Sequence, residues 1–218
     1  MKSLFHLDNP FMQFLARIGD MILANFLFLI CSVPIVTLGA SLTALHKITQ
    51  DIVGDKDSGI VKPFFQAFQE NFKQATTAWL LLLVFFVGMG CNLLLILSYL
   101  AGTAAVVCKG LVLFLSILIL AVAAYLFPLI TRYENTLKTH FINAGILAVV
   151  KLPRTVVIVF LNILPVLIMY FSMQTFFSTF VFWLVIGFGF TSYITSTLLM
   201  PVFREMEKPG GPNMKILN

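Results

Sequence analysis

The stretch CSVPIVTLGASLTAL, residues 31–45, interrupts the first long apolar run of the chain and decides how that run folds. No Lys, Arg, Asp or Glu occurs between Met21 and Leu45, so the run is long enough to cross a bilayer. Pro34 breaks helical hydrogen bonding, and Gly39 permits a turn or a close approach of another helix. The stretch therefore predicts a kink in a single span, the turn of a helical hairpin, or a discontinuous helix of the kind that binds solutes in transporters.

The composition of the whole chain is that of an integral membrane protein. Hydrophobic residues make up 60% of it, charged residues 11%, and its mean hydropathy is +1.00. These values exclude an ordinary soluble domain. Three further runs without charge cover residues 74–108, 110–131 and 155–203. Since about 20 helical residues cross a hydrocarbon core of about 30 Å, the last run must hold two spans, with a turn predicted at 172–179.

We therefore predict an all-α fold, a polytopic transmembrane helix bundle of five to six spans in one integral membrane domain, residues 1–218. The predicted spans are 18–36, with a return at 38–51 if the chain forms a hairpin, and then 78–100, 110–130, 154–172 and 179–201. In the sequence DNPF, Asp8 or Asn9 is a candidate helix cap, and Pro10 suits the first helical position. The first helix is accordingly expected to begin well before Met21.

The distribution of basic residues predicts the orientation of the bundle. Lys and Arg concentrate in residues 46–74, in residues 131–154 and after the last span. The positive-inside rule places these segments and the C-terminus in the cytoplasm. A hairpin turn near Pro34 to Gly39 also places the N-terminus there and leaves Lys109 alone outside, whereas a single kinked span puts Lys2 and Arg17 outside. We favour the hairpin, and we assign the net charge of +5 to topology and lipid contact rather than to nucleic acid.

Two segments between spans, 60–74 and 131–150, predict cytoplasmic interfacial amphipathic helices. Aromatic and aliphatic side chains recur on one face of each, with Lys138 and Asn143 among the residues expected to be more exposed. Each helix precedes a membrane entry, so it either anchors that entry or docks another subunit. The candidate docking residues are Phe64, Phe65, Phe68, Phe72, Tyr133, Leu137, Phe141, Pro153 and Arg154.

The sequence offers no catalytic, cofactor-binding or metal-binding constellation, and we expect the protein not to be an enzyme. His6, His46 and His140 are widely spaced, and no HExxH, CxxC or glycine-rich phosphate loop is present. Uncharged polar residues inside the apolar runs, among them Asn25 and Asn92, either line a solute path or hydrogen-bond within the bundle. The candidates for a solute path are Ser32, Pro34, Thr37, Gly39, Ser41, Asn162, Thr191 and Thr195.

Five segments carry a resemblance to a known family: NPF at 9–11, ICSVPIVTLGASLTAL at 30–45, FFQAFQENFKQATTAW at 64–79, RYENTLK at 132–138 and NAGILAVVKLPRT at 143–155. They resemble the YesL family of bacterial multi-pass membrane proteins, a domain of unknown function. The resemblance implies no catalytic residue. It implies a bacterial cytoplasmic membrane and, because members are commonly encoded beside carbohydrate ABC importers, a part in sugar uptake. Together with the two amphipathic helices and the lack of a catalytic constellation, it leads us to expect a non-catalytic accessory subunit with sugar ABC permease subunits as partners. The alternative is a small autonomous carrier or channel for a neutral solute.

Overall fold

The computed structural model describes residues 10–56 and 59–208, and this part of the chain is helical without strands. A short 3₁₀ turn, Ile35–Thr37, joins the first two helices, and a π-helical turn, Trp183–Gly187, joins the last two. The all-α prediction is confirmed. The helices are α1 Pro10–Ser32, α2 Leu38–Val53, α3 Val61–Glu70, α4 Phe72–Tyr99, α5 Gly102–Ile130, α6 Leu137–Val150, α7 Leu152–Phe171, α8 Met173–Phe182 and α9 Phe188–Met206.

Five helical stretches are long and apolar enough to cross a membrane, which confirms a polytopic bundle. They are Phe11–Ser32, Phe72–Tyr99, Gly102–Ile130, Leu152–Phe171 and Met173–Met206. The first helix begins at Pro10, as the sequence predicts, while its candidate caps Asp8 and Asn9 lie outside the described residues. The chain turns at Ser172 alone, not over 172–179, because the Ser172 hydroxyl caps α8 by accepting from the Thr175 amide at 3.2 Å.

Helices α1 and α2 form an antiparallel hairpin. The guanidinium of Arg17, near the start of α1, pairs with the carboxylate of Asp55, just after α2. The chain reverses between them at residues 33–37, where the Thr37 hydroxyl donates to the carbonyls of Cys31 and Pro34 at 2.6 and 2.8 Å. This segment is therefore the turn of a hairpin and not a kink in one continuous helix.

Helix α2 lies at the centre of the bundle. Its buried residues belong to two hydrophobic clusters, one shared with α4 to α7 and α9, and the other shared with α1 and α3. Ala40 belongs to the first cluster, and Ala44, Leu45 and Ile48 belong to the second. The small side chains of Ala40 and Ala44 let neighbouring helices approach closely, as helix packing in membranes requires. The hairpin turn therefore positions the element on which the rest of the bundle packs.

One end of the bundle collects the ionic residues; we call it the charged end and define it by Lys47, Lys56, Arg132, Lys151 and Glu207. Ion pairs join the α5–α6 loop and the start of α7 to the end of α9, from Arg132 to Glu207 at 2.8 Å and from Lys151 to Glu205 at 3.0 Å. The α4–α5 turn and Ser172 lie at the opposite end, because α4 and α7 each run away from the charged end and α5 and α9 return to it.

Helix α6 differs from its predicted form. Residues 131–136 are not helical, because the Thr136 hydroxyl caps the helix by accepting from the Thr139 amide, and α6 begins at Leu137. Asn143, which we expected to be exposed, is 1% exposed, while Ile142, Ile146, Val149 and Val150 face outward. The prediction for Asn143 is wrong because much of the outward face of α6 is apolar, and the helix turns His140 and Asn143 towards the protein interior, while Lys138 is exposed as predicted.

Candidate functional site at the charged end

A polar cleft opens at the charged end between the α3–α4 junction and the α5–α6 loop. Its volume is about 830 Å³. The Gln74 side-chain amide donates to the Asn135 carbonyl at 2.6 Å and ties the two walls together. Amides, hydroxyls and carboxylates dominate the lining, so the cleft suits a polar group rather than a hydrocarbon. The lining residues are Glu70, Asn71, Gln74, Ile130, Thr131, Arg132, Tyr133, Glu134, Asn135, Thr136 and Thr139.

A second cavity of about 410 Å³ lies on the other side of Thr131 and Arg132, which line both spaces. Its walls carry four basic side chains and two carboxylates: Lys47, Lys56, Arg132 and Arg204, with Asp51 and Glu207. Asp51 accepts from Lys47 at 3.2 Å and lies 3.6 Å from Lys56. These ion pairs neutralise part of the charge of the cavity within the protein. The arrangement therefore favours a structural or docking role over the tight binding of a free ion.

Arg132, Tyr133 and Glu207 form a latch between the α5–α6 loop and the end of α9. The Arg132 guanidinium donates to both Glu207 carboxylate oxygens, at 2.8 and 3.1 Å, and the Tyr133 hydroxyl donates to the same carboxylate at 3.2 Å. Arg132 also lies over the Phe203 ring, 5.0 Å from its centroid. The Arg132 hydrogen bond holds the pKa of Glu207 below its usual range, and burial raises the pKa of Tyr133 to about 12.

We expect the latch to make the free energy of unfolding depend on pH in the acid range, because Glu207 becomes protonated there. Because its pKa is lower in the folded protein, the ionised carboxylate stabilises the fold above its unfolded pKa of about 4.3, and this contribution is lost as the pH falls through the folded value. Glu207→Gln should lower the free energy of unfolding near pH 7 by about 1 kcal/mol or less, since the pair is partly exposed. Thermal unfolding in detergent between pH 7 and pH 3 should show a smaller acid dependence for this variant than for wild type.

Glu134→Gln is the matched control, because Glu134 is an exposed carboxyl group in the same loop. Its pH profile should follow that of the wild type. An unchanged acid dependence in Glu207→Gln would contradict the role given to the latch.

The predicted docking residues divide into buried and exposed groups. Phe64 is fully buried and packs in the cluster shared by α1, α2 and α3, so it is not available to a partner in this conformation. Phe65 and Phe72 are 41% and 37% exposed. Pro153 is exposed and Arg154 half-buried, whereas the remaining docking candidates are half-buried against the protein: Phe68, Tyr133, Leu137 and Phe141.

The predicted solute-path residues do not line one route. Four of the side chains donate to the backbone carbonyl four residues earlier in the chain, and not into a shared space. They are those of Ser41, Asn162, Thr191 and Thr195. Thr37 and Pro34 belong to the hairpin turn, and the Ser32 hydroxyl is buried there without a partner among the described residues. Gly39 packs its backbone against α4.

A buried polar cluster between α2 and α9 was missed. The Thr49 hydroxyl lies 2.9 Å from that of Ser192 and 2.8 Å from that of Ser196, and Ser192 lies 2.9 Å from His46 Nδ1. The signal was present, because His46 and Thr49 are three residues apart on α2 and the two serines are four apart on α9. The solute-path candidates chosen on α9, Thr191 and Thr195, are each one residue before a serine of this cluster and lie outside its hydrogen bonds.

No set of three or more His, Cys, Asp or Glu residues in the described chain is placed to hold a metal ion. His140 is fully buried, its two ring nitrogens have no partner among the described residues, and burial lowers its pKa. This imidazole is therefore packed inside the protein and does not line the polar cleft.

Comparison with known protein families gives a match over part of the chain. A family model described as "Protein of unknown function, DUF624" matches residues 21–93, from the first helix through most of α4. This stretch of the chain is similar to that domain of unknown function. The match includes the hairpin turn and α3, which are the elements that organise the core. No curated protein and no solved structure matches the chain.

Proposed function

We propose that this membrane protein is a non-catalytic accessory subunit of a carbohydrate ABC importer and docks permease subunits through its charged end. The observation that carries the proposal is the concentration of clefts and ion pairs at that end, with the exposed side chains of Phe65 and Phe72 nearby. The spans beyond the core, in contrast, present apolar side chains to their surroundings. The importer itself is inferred from the resemblance to the YesL family.

The hydrogen bonding of the candidate solute-path residues supports an accessory role over transport. A solute path needs polar groups whose donors and acceptors point into a shared space. The candidate side chains instead donate to backbone carbonyls four residues earlier in the chain, as Asn162, Thr191 and Thr195 do. This pattern is typical of polar residues that are tolerated in membrane helices for packing.

The surface around the cleft supports docking by a protein. Phe65 and Phe72 are exposed aromatic anchors on α3 and at the start of α4, and Phe72 adjoins the cleft residue Asn71. Exposed aromatic residues beside hydrogen-bonding groups are the composition in which binding hot spots concentrate. The basic residues of the charged end favour a cytoplasmic position by the positive-inside rule, where an importer exposes its cytoplasmic loops.

The test is sugar uptake by a clean deletion strain that is complemented with variants. Loss of the protein should reduce the uptake of one or more sugars, and Phe65→Ala combined with Phe72→Ala should fail to restore it, with a loss of about tenfold for two hot-spot aromatics. Phe114→Ala combined with Phe177→Ala is the control, because these side chains are equally apolar and exposed but belong to the spans. Normal sugar uptake in the deletion strain contradicts the proposal.

One observation favours a second candidate, an autonomous carrier for a neutral solute. The His46, Thr49, Ser192 and Ser196 cluster is a set of hydrogen-bonding groups inside the bundle. Purified protein in liposomes distinguishes the two candidates, because a carrier should move a labelled solute alone and an accessory subunit should not. Uptake that is abolished by Ser192→Ala would favour the carrier.

A further inference from the structure

The turn between α1 and α2 stops part-way along the longest helices of the bundle. The Trp79 indole donates to the Ile35 carbonyl at 2.7 Å, and Gly39 packs on the backbone of Ala75. Trp79 is seven residues into α4, or about 10 Å from its start at a rise of about 1.5 Å per residue. About 30 Å of α4 then remains before Tyr99. The turn therefore lies much nearer the charged end than the far end of α4.

The burial pattern independently indicates the same depth. Residues 83–120 form the far parts of α4 and α5, and Ala105 is the only buried residue among them. No residue between 160 and 182, on α7 and α8, is buried either. If the α1–α2 hairpin extended the full length of the spans, it would cover part of these surfaces. The packed core instead occupies the half of the bundle next to the charged end.

Several backbone carbonyls of the turn accept hydrogen bonds, which makes it easier to place irregular backbone in hydrocarbon. Irregular backbone is otherwise excluded from lipid because unpaired N–H and C=O groups are costly there. Here the Thr37 hydroxyl lies within hydrogen-bond distance of two carbonyls, and the Trp79 indole N–H donates to a third. Pro34 has no N–H that would need an acceptor. The turn carbonyls that accept a hydrogen bond are those of Ile30, Cys31, Pro34, Ile35 and Thr37.

The side chains around the turn complete the argument. Ile30, Val33, Ile35 and Val36 are 67%, 78%, 63% and 51% exposed. The segment from Met21 to Leu45 contains no charged residue. An exposed turn in water is ordinarily polar, whereas this one presents branched aliphatic side chains. The exposed side chains of the turn are therefore apolar, like the acyl chains of lipids.

We propose that α1 and α2 form a re-entrant hairpin, which enters and leaves the bilayer at the charged end and whose turn lies among lipid acyl chains. Helix α1 is long enough to cross by itself, but its end at Ser32 is held at the level of Trp79. The membrane is then crossed four times, by α4, α5, α7 and the joined α8 and α9. This inference concerns topology and stands whether or not the protein serves an importer.

Single cysteines test the depth of the turn in purified protein reconstituted into phosphatidylethanolamine and phosphatidylglycerol vesicles. Cys31, Cys91 and Cys108 are first replaced by alanine, and Val36→Cys, Ala101→Cys and Glu134→Cys are introduced separately. With random insertion, a membrane-impermeant maleimide should label about half of the molecules at either loop position, because each loop faces water on one side. Val36→Cys should remain unlabelled until detergent is added. Labelling of about half of Val36→Cys overturns the proposal.

A nitroxide attached to the same cysteines gives a second reading that does not depend on thiol reactivity. At position 36 it should be more accessible to oxygen, which partitions into lipid, than to a water-soluble nickel chelate. At position 101 the preference should reverse. Greater accessibility of position 36 to the nickel chelate would place the turn in water and overturn the re-entrant hairpin.

Discussion

Replacing Gly39 by alanine is expected to destabilise the whole bundle, because no space exists for a side chain at this position. A Cβ there would overlap the Ala75 carbonyl oxygen and lie 2.5 Å from the Trp79 Cβ. Since the first of these is backbone, α2 and α4 must separate to relieve the clash. Overpacking of this kind costs about 3 kcal/mol. The thermal midpoint in mild detergent should fall by roughly 10 °C.

The same substitution at Gly90 is the control. Gly90 lies on α4, and a Cβ there meets no atom within 4 Å. Gly90→Ala should therefore keep or slightly raise the thermal midpoint, because alanine is the better helix former. Equal midpoints for Gly39→Ala and wild type would contradict the close contact between α2 and α4.

Replacing Asn25 by leucine should have a comparably large effect through hydrogen bonds. Asn25 is fully buried on α1, and its amide donates to the carbonyls of Leu184 at 2.8 Å and Trp183 at 3.5 Å. Its side-chain oxygen accepts from the Gly189 amide at 2.9 Å. The two carbonyls lie within the π-helical turn and the Gly189 amide follows it, at a place where the regular bonding pattern is interrupted. Their loss should cost about 2–4 kcal/mol and lower the thermal midpoint by roughly 5–10 °C.

Asn92→Leu is the matched control for this change. Asn92 is exposed on α4 and donates only to the Gly88 carbonyl of its own helix, at 2.9 Å. Its replacement should change the free energy of unfolding by less than about 0.5 kcal/mol. If the two leucine variants were equally stable, Asn25 would not be holding α1 to the π-helical turn.

The long apolar helices could be predicted largely from the positions of the charged residues. Runs without Lys, Arg, Asp or Glu are a direct consequence of the cost of burying charge in lipid, so the long helices follow from the sequence. The depth of the hairpin could not be predicted this way. It depends on a hydrogen bond between Trp79 and Ile35, which are 44 residues apart.

The faces of the short helices were harder to predict, because periodicity does not say what surrounds a helix. Phe64 was assigned to an outward face with Phe65, yet it is fully buried under α1 and α2. Asn143 was predicted to be exposed, but it is buried on α6 together with His140, while Ile142, Val149 and Val150 of the same helix are exposed. A periodic pattern separates two faces of a helix, and only tertiary packing decides which one is inside.

The interhelical polar contacts depend on which helices become neighbours. Four hydroxyl-bearing residues lie close together in the sequence, Thr191, Ser192, Thr195 and Ser196, and they occupy two adjacent faces of α9. Ser192 and Ser196 hydrogen-bond with Thr49 because α9 packs on α2 with their face. Thr191 and Thr195 instead donate to carbonyls one turn earlier in the same helical stretch. Neither residue type nor spacing distinguishes these two pairs.

The most direct test of the proposed accessory role is to identify what accompanies the tagged, full-length protein when it is purified from its native membrane in mild detergent. Quantitative mass spectrometry should recover sugar ABC permease subunits in amounts near those of the protein itself. The combined Phe65→Ala and Phe72→Ala variant should lose them, while the Phe114→Ala and Phe177→Ala control should retain them. Recovery of the protein alone, in a stable and monodisperse form, would contradict the proposed function.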